Sequence, residues 1–266
     1  MFFWIYDHPT WQMTLLFMAA FTALSIAGLY GFRWLAHAWL HHDDHANDMV
    51  GLAMSSFAVL YGLLLGLLAV AAYTSYSTAG DQVTQEAASL ATLYRDISGM
   101  PQPVRGNLQE MLRHFTRETI DVSWPLQQRG VVPTTASAIM AQFNDQLQAF
   151  KPADLGQQTV HAEAIAQTNA LIELRDQRLA NVNAGIPNIL WWVVLLGAFV
   201  NTLLLWMLKM PMRVHVILTG LLSAFTGLVI FLVAAMDFPF RGEVSIGAEA
   251  FEQVYATVMQ PKVPRL

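Results

Sequence analysis

Long runs without a charged residue divide the chain into apolar and polar parts. Four stretches contain no Asp, Glu, Lys or Arg: 8–32, 49–80, 179–208 and 214–236. The hydrocarbon core of a bilayer is about 30 Å thick, and about 20 apolar helical residues are needed to cross it. Because backbone groups in lipid must be hydrogen-bonded within the segment, we expect four membrane-spanning helices. Their approximate bounds are 12–32, 50–73, 188–208 and 214–236.

The segment between the second and third spans has a different composition. Residues 81–178 hold 19 of the chain's 33 Asp, Glu, Lys and Arg residues, so we expect this segment to lie in water. Its apolar residues recur every three or four positions, as they do on one face of a helix, and the chain has no alternating strand pattern. The predicted fold class is an all-α membrane protein: four transmembrane helices with a helical aqueous domain inserted between helices 2 and 3.

This pattern divides the chain into four parts. They are 1–73 with transmembrane helices 1 and 2, 74–187 as a helical soluble domain, 188–236 with transmembrane helices 3 and 4, and 237–266 as a C-terminal tail. Within the soluble domain, we expect one helix to end at Pro101 and the next at Trp124-Pro125, since Pro interrupts helical hydrogen bonding. No Pro occurs between 73 and 81, so the second spanning helix is free to continue into the soluble domain.

Composition excludes several classes of function. Only 12% of the 266 residues are charged, against about 25% in an ordinary soluble domain, and the net charge of −5 argues against a nucleic-acid partner. With no Cys, the chain has no disulfide, no thiolate nucleophile and no Cys metal ligand. The sequence carries no phosphate-binding glycine loop, metalloprotease motif or nucleophile elbow, so we expect neither enzyme activity nor a cofactor.

Charge leaves the orientation in the membrane open. Four spans place both termini and the inserted domain on the same side. Cytoplasmic loops carry an excess of Lys and Arg near the membrane. Three such residues flank the spans on the hairpin side and three on the inserted side: Arg33, Lys209 and Arg213 against Arg175, Arg178 and Arg241.

Three histidines in the first hairpin are candidate metal ligands. His37, His41 and His45 are spaced by four, so a continuing helix would place them on one face. Imidazole nitrogens with a carboxylate as fourth ligand suit a transition metal, and histidine also titrates close to neutral pH. A solvated loop at the level of the lipid headgroups explains the same residues, and no second histidine-rich element completes a site.

The second span carries the candidate pore residues. Val59, Leu63 and Leu67 repeat every four residues and form one apolar stripe. Such side chains can form a constriction that gates ions by dewetting, provided that several copies surround a common axis. Gly62 and Gly66 are a pair of small residues of the kind that lets membrane helices approach closely. A position against lipid or in the core explains the same stripe without a pore.

Several motifs resemble those of bestrophin-type channels. The stretch 60–96 looks like the second bestrophin helix and its cytoplasmic continuation, with Gly66-Leu67 followed by an aromatic exit. After the last span, a D-x-P-F-x-G motif resembles the Pro-Phe-Gly motif that follows the fourth bestrophin helix. Its residues are Asp237, Pro239, Phe240 and Gly242.

The chain is also similar to bacterial bestrophin-like membrane proteins. These share the run E-A-x-x-L-x-x-L-Y-R, which begins here at Glu86, and a Pro-x-x-x-Arg pair that begins at Pro101. They also share Trp124-Pro125 and the D-x-P-F-x-G motif. The similarity covers most of residues 50–255.

The resemblance implies a homo-oligomeric ring, pentameric in that family, with Val59, Leu63 and Leu67 lining a narrow neck. The implied partners are further copies of the chain, the lipid bilayer and small inorganic ions. The implied location is a bacterial inner membrane, with the termini and the soluble domain in the cytoplasm. The acidic run that binds calcium in animal bestrophins is absent after Gly242, so calcium activation is not implied.

Two functions are compatible with the sequence. The first is an oligomeric ion channel with an apolar neck lined by transmembrane helix 2. The second is a non-conducting membrane scaffold or sensor whose soluble helices bind a partner. The lengths of the spans fit both.

Overall fold

The computed structural model describes residues 3–40 and 46–260, and the side chains of 3–32 and 47–260. All regular structure in these residues is helical, which confirms the predicted fold class. The helices are α1 (Thr10–Leu40), α2 (Ala46–Asp96), α3 (Val104–Glu118), α4 (Trp124–Gln127), α5 (Thr135–Ala149), α6 (Leu155–Asn181), α7 (Asn188–Met207), α8 (Met212–Met236) and α9 (Glu249–Val254). Because no Pro interrupts 73–81, α2 runs without a break from the second span into the polar segment.

The chain forms two compact units, each assembled from separate parts of the sequence. We call the first the membrane unit: Met1–Ser75, Gly185–Asp237 and Gly242–Val244. We call the second the inserted unit: Tyr76–Ala184, Phe238–Arg241 and Ser245–Leu266. The residues of α2 are therefore shared between the two.

In the membrane unit, α1, α7 and α8 pack closely at glycines. A Cβ at Gly227 of α8 would lie 2.8 Å from the carbonyl oxygen of Phe17, and a Cβ at Gly28 of α1 would lie 2.1 Å from the ring of Trp206. These helices therefore approach one another where a side chain is missing. The described chain has four helices long and apolar enough to cross a membrane, in agreement with the prediction.

An aromatic residue of α2, Tyr61, packs against α7 in the membrane unit. The ring of Tyr61 fills the space beside Gly197, where a Cβ would lie 2.5 Å from it. The Tyr61 hydroxyl donates a hydrogen bond of 3.1 Å to the carbonyl of Val194 on α7. With Leu65 and Leu68, Tyr61 forms the buried face of α2.

The inserted unit has its own apolar core, built from the second half of α2 with α3, α5 and α6. The residues after α8, which the sequence places in a C-terminal tail, contribute Phe240, Phe251 and Met259 to this core. Each of these three is almost completely buried. Because burying a large apolar side chain stabilises a fold by about 1.5–3 kcal/mol, these residues belong structurally to the inserted unit.

A π-helical turn joins α3 to α4. The sequence predicts that this helix ends at Trp124-Pro125, but the structure continues through the turn Thr119–Ser123 to Gln127. In the turn, the Trp124 N–H donates to the Thr119 carbonyl, five residues back instead of four. The wider turn accommodates Pro125 in the first turn of α4, where a missing N–H is tolerated.

Candidate functional site

The predicted pore residues lie on an exposed face of α2. Val59, Leu63 and Leu67 are 71%, 59% and 63% exposed. The opposite face of the same helix packs on its own chain through Tyr61. The stripe therefore projects away from the core of the membrane unit.

The two glycines predicted to pack against a helix have no neighbour within the described chain. No atom lies within 4 Å of the position that a Cβ would occupy at Gly62 or at Gly66. Other glycines make room for a neighbour: Gly28 and Gly197 face the rings of Trp206 and Tyr61, and Gly227 faces the backbone of Phe17. A packing role for Gly62 and Gly66 stays a prediction for contacts between copies.

Two residues of the D-x-P-F-x-G motif belong to the membrane unit. The Asp237 carboxylate accepts hydrogen bonds from the backbone N–H of Ile186 and from Nε1 of Trp191, the latter at 3.2 Å. Gly242 has φ +80°, a left-handed conformation that favours glycine, and a Cβ there would lie 3.0 Å from the ring of Tyr6. Both residues therefore hold the end of α8 against neighbouring segments.

Glu243, directly after the motif, caps the first helix. Its carboxylate accepts a hydrogen bond of 2.7 Å from the backbone N–H of Thr10, the first residue of α1. This hydrogen bond lowers the pKa of Glu243. A carboxylate at this position complements the unpaired N–H groups and the positive end of the helix dipole.

The pH dependence of stability should report the burial of Asp237. Burial raises the pKa of its carboxyl, although the donors Ile186 and Trp191 oppose the shift. The folded chain therefore favours the protonated carboxyl of Asp237. The stabilisation from this carboxyl is complete below the pKa of about 3.9 that it has in the unfolded chain, and it is lost as the pH rises through the raised pKa of the folded chain. We expect Asp237→Asn to gain stability relative to the wild type over this window, by about 1.4 kcal/mol per unit of raised pKa.

Thermal unfolding of both forms across acidic and neutral pH measures this difference. Asp145→Asn is the control, because Asp145 is exposed in the described part of α5 and its substitution relieves no burial of a carboxyl. A constant difference for Asp237→Asn would contradict the prediction.

The other two motif residues belong to the inserted unit. The Pro239 carbonyl accepts a hydrogen bond of 2.9 Å from the N–H of Ile246. Phe240 is fully buried with its ring centroid 6.0 Å from that of Trp124, in an edge-to-face arrangement. Trp124 also donates from Nε1 to the carbonyl of Ile246, at 3.1 Å. The Trp-Pro and D-x-P-F-x-G motifs thus meet in one core.

A buried ion pair lies beside this aromatic cluster. Arg178 binds the carboxylate of Glu86 with two nitrogens, Nε at 2.5 Å and Nη2 at 3.1 Å. Its Nη1 donates to the side-chain oxygen of Gln127, and its guanidinium lies 5.0 Å from the Trp124 ring centroid. Glu86 and Arg178 are 0% and 1% exposed. Fork-like pairing with a carboxylate is the strongest form of such a contact.

In the sequence, Glu86 and Trp124 stand out only as motif residues, and Arg178 only as a charge near the membrane. One signal could have revealed the pair. Glu86 lies between Val83 and Ala87 on the apolar face of a helix, and a carboxylate on a buried face requires a cationic partner.

Asn201 and His215 are the isolated polar residues that the sequence places in the third and fourth spans. The His215 ring makes a hydrogen bond of 2.9 Å through Nε2 to the carbonyl of Leu205, across the α7–α8 hairpin. The Oδ1 atom of Asn201 is buried and has no hydrogen-bond partner in the part of the chain that the structure describes.

The histidine stripe in the first hairpin is described only in part. His41 and His45 lie outside the described residues, and for His37 only the backbone position within α1 is described. Elsewhere in the described ranges, no group of three or more His, Asp or Glu is placed to hold a metal ion. A metal site at His37, His41 and His45 stays a prediction.

Comparison with known proteins agrees with this architecture. The family model of the Bestrophin-like domain matches residues 18–251. A point variant of a bacterial bestrophin homologue from Klebsiella pneumoniae has a similar fold, with TM-score 0.66, 13% identity, and coverage of 93% of this chain and 99% of that one. A zinc-phased structure of a Klebsiella pneumoniae homologue has TM-score 0.62 at 14% identity, covering 92% and 95%. The search of curated proteins finds no match.

Four apolar helices and an inserted helical unit define an all-helical, multi-pass membrane protein. The family match covers most of the sequence, so the chain belongs to the Bestrophin-like family, whose members are channel-type membrane proteins. At 13–14% identity, the likeness to the solved structures establishes the fold alone.

Proposed function

We propose that the chain forms an oligomeric ion channel in which several copies surround an axis lined by α2. The observation that carries the proposal is the exposed stripe Val59, Leu63 and Leu67 on a helix whose other face packs on its own chain. Either lipid or further copies would cover such a stripe. The open positions beside Gly62 and Gly66 favour further copies, since small residues mark close contact between membrane helices.

The proposed neck works by excluding water. Around a shared axis, rings of Leu63 and Leu67 would form a narrow apolar segment that ions cross only when it hydrates. No charged residue occurs in 49–80, so the neck would select ions by their size and by how readily they lose water, and not by a ring of charges. A pentamer is the ring that the family resemblance implies. The proposed location is a bacterial inner membrane, with the termini and the inserted unit in the cytoplasm.

Imaging and conductance together test this function. Particle averages of the purified full-length protein should show a ring with α2 next to the axis. The same preparation in planar bilayers should conduct, and ion substitution should identify the permeant ion. A single subunit with Leu63 and Leu67 against detergent would overturn the ring. A ring without conductance in several lipids would overturn the channel and favour a membrane scaffold.

A further inference from the structure

The helix α2 keeps one buried face and one exposed face along most of its length. Tyr61 and Leu90 are both buried and lie about eight turns apart, and the buried residues between them follow the helical period. These residues include Tyr61, Leu65, Leu68, Ala72, Ala79, Val83, Glu86 and Leu90. The face opposite to them is therefore one continuous face of the helix.

The exposed stripe of the proposed neck continues along this opposite face. Leu63 and Asp81 are about five turns apart in the unbroken helix, so they lie on the same face. Between them, the same face carries Val70, Thr74 and Ser77, and all three are exposed. From the neck towards the C-terminal end of α2, the face thus changes from apolar to hydroxyl-bearing and then to charged.

Asp81 carries the first charge on this face beyond the neck. No Asp, Glu, Lys or Arg occurs in 49–80. The side chain of Asp81 is exposed, and the ion pairs found among the described residues do not include it. The first basic residue of α2 is Arg95, about four turns further on, and Asp96 follows it directly. A carboxylate therefore precedes any positive charge on this helix.

The surroundings of Asp81 add negative charge and no positive charge. An open cavity of about 510 Å³ lies beside it in the inserted unit, lined by α2 and by the segment after α8. That segment contributes the carboxylate of Glu249. The described lining of the cavity contains no Lys, Arg or His. A cleft whose charges are of one sign concentrates ions of the opposite sign.

We infer that Asp81 forms a ring of carboxylates beyond the neck, and that the permeant ions are small monovalent cations. This inference rests on the proposed channel function, in which several copies of α2 surround the axis. Every copy then presents Asp81 to the same passage, because Asp81 shares the face of Leu63. Rings of acidic side chains select cations, whereas an apolar neck does not distinguish the sign of an ion. Monovalent ions are favoured at the neck because divalent ions such as Mg²⁺ lose their water reluctantly.

The reversal potential of the reconstituted full-length protein tests this selectivity. A planar bilayer separates two concentrations of potassium chloride, and the reversal potential gives the permeability ratio of K⁺ to Cl⁻. We expect the wild type to prefer K⁺. Asp81→Asn should lower the ratio about fivefold, because one unit charge at about 4 Å in water changes the concentration of a counter-ion by that factor. Asp81→Lys should make Cl⁻ the preferred ion.

Two further variants separate the ring from other effects. Asp81→Glu keeps the charge and should retain a preference for K⁺ close to that of the wild type. Asp145→Asn removes an exposed carboxylate from α5 instead of α2, and it should leave the ratio unchanged. Because Asp81 and Asp145 are both exposed, these substitutions leave the apolar cores intact.

The outcomes distinguish this inference from the channel function on which it rests. A conducting wild type that prefers Cl⁻ would overturn the inference and leave the channel in place. The same holds if Asp81→Asn and Asp81→Lys both conduct with the wild-type ratio. A protein that forms no ring, or a ring that does not conduct, would instead overturn the channel function and the inference together.

Discussion

Leu67→Ala is expected to raise ion flux through the reconstituted protein about tenfold. If every copy contributes Leu67 to a ring, the substitution removes three carbons per copy, which widens the neck and favours its hydration. A tenfold increase corresponds to a barrier lower by about 1.4 kcal/mol, a small part of the cost of dehydrating an ion. Flux from liposomes with a fixed number of protein copies measures the effect.

Leu221→Ala is the matched control for this experiment. Leu221 lies on α8 of the same unit and is 65% exposed, close to the 63% of Leu67. Its truncation should leave the flux at the wild-type level. If both variants have unchanged flux while the protein remains folded, Leu67 does not gate, and the stripe is better explained by contact with lipid.

Glu86→Gln is expected to destabilise the inserted unit by about 3–5 kcal/mol. The amide removes the charge that compensates Arg178 and leaves a guanidinium in a core from which water is excluded. The substitution changes shape very little, so the loss reports charge and hydrogen bonding and not packing. Denaturant or thermal unfolding of the purified protein, followed through tryptophan fluorescence, measures it.

Glu110→Gln provides the comparison. Glu110 also forms a salt bridge, with Arg113, but its side chain is 70% exposed. A surface pair of this kind contributes about 0–1 kcal/mol, so this variant should unfold almost as the wild type does. A loss for Glu86→Gln as small as that for Glu110→Gln would contradict the role assigned to the buried pair.

The spanning helices could be predicted from the sequence because their signal is local. An uncharged run of sufficient length is a property of consecutive residues, and the expected 188–208 and 214–236 correspond to the observed Asn188–Met207 and Met212–Met236. The continuation of α2 beyond the membrane could also be predicted, since no Pro interrupts it. The lengths of the uncharged runs and the positions of Pro were sufficient for both predictions.

The contacts that build the two cores could not be predicted in this way. Arg178 and Glu86 are 92 positions apart in the sequence, and no local pattern pairs them. Phe240, Phe251 and Met259 lie in a segment without a continuous helical pattern, and the core that they join is built from residues far away in the sequence. The glycines illustrate the same limit: Gly62 and Gly66 have the favourable spacing, but Gly227 lies against the backbone of α1 and Gly197 against the ring of Tyr61.

The π-helical turn Thr119–Ser123 lets this helix carry one surplus amino acid without a change of phase. Such a turn holds one residue more than the α-helix around it, so its residues turn the chain about as far as one residue fewer does in a regular α-helix. Deleting a single residue there would restore a regular α-helix and leave the later positions at nearly the same angle. Gln127 would stay beside Arg178, and Trp124 beside Phe240. The turn therefore marks a point at which the length of the chain can change while both contacts remain.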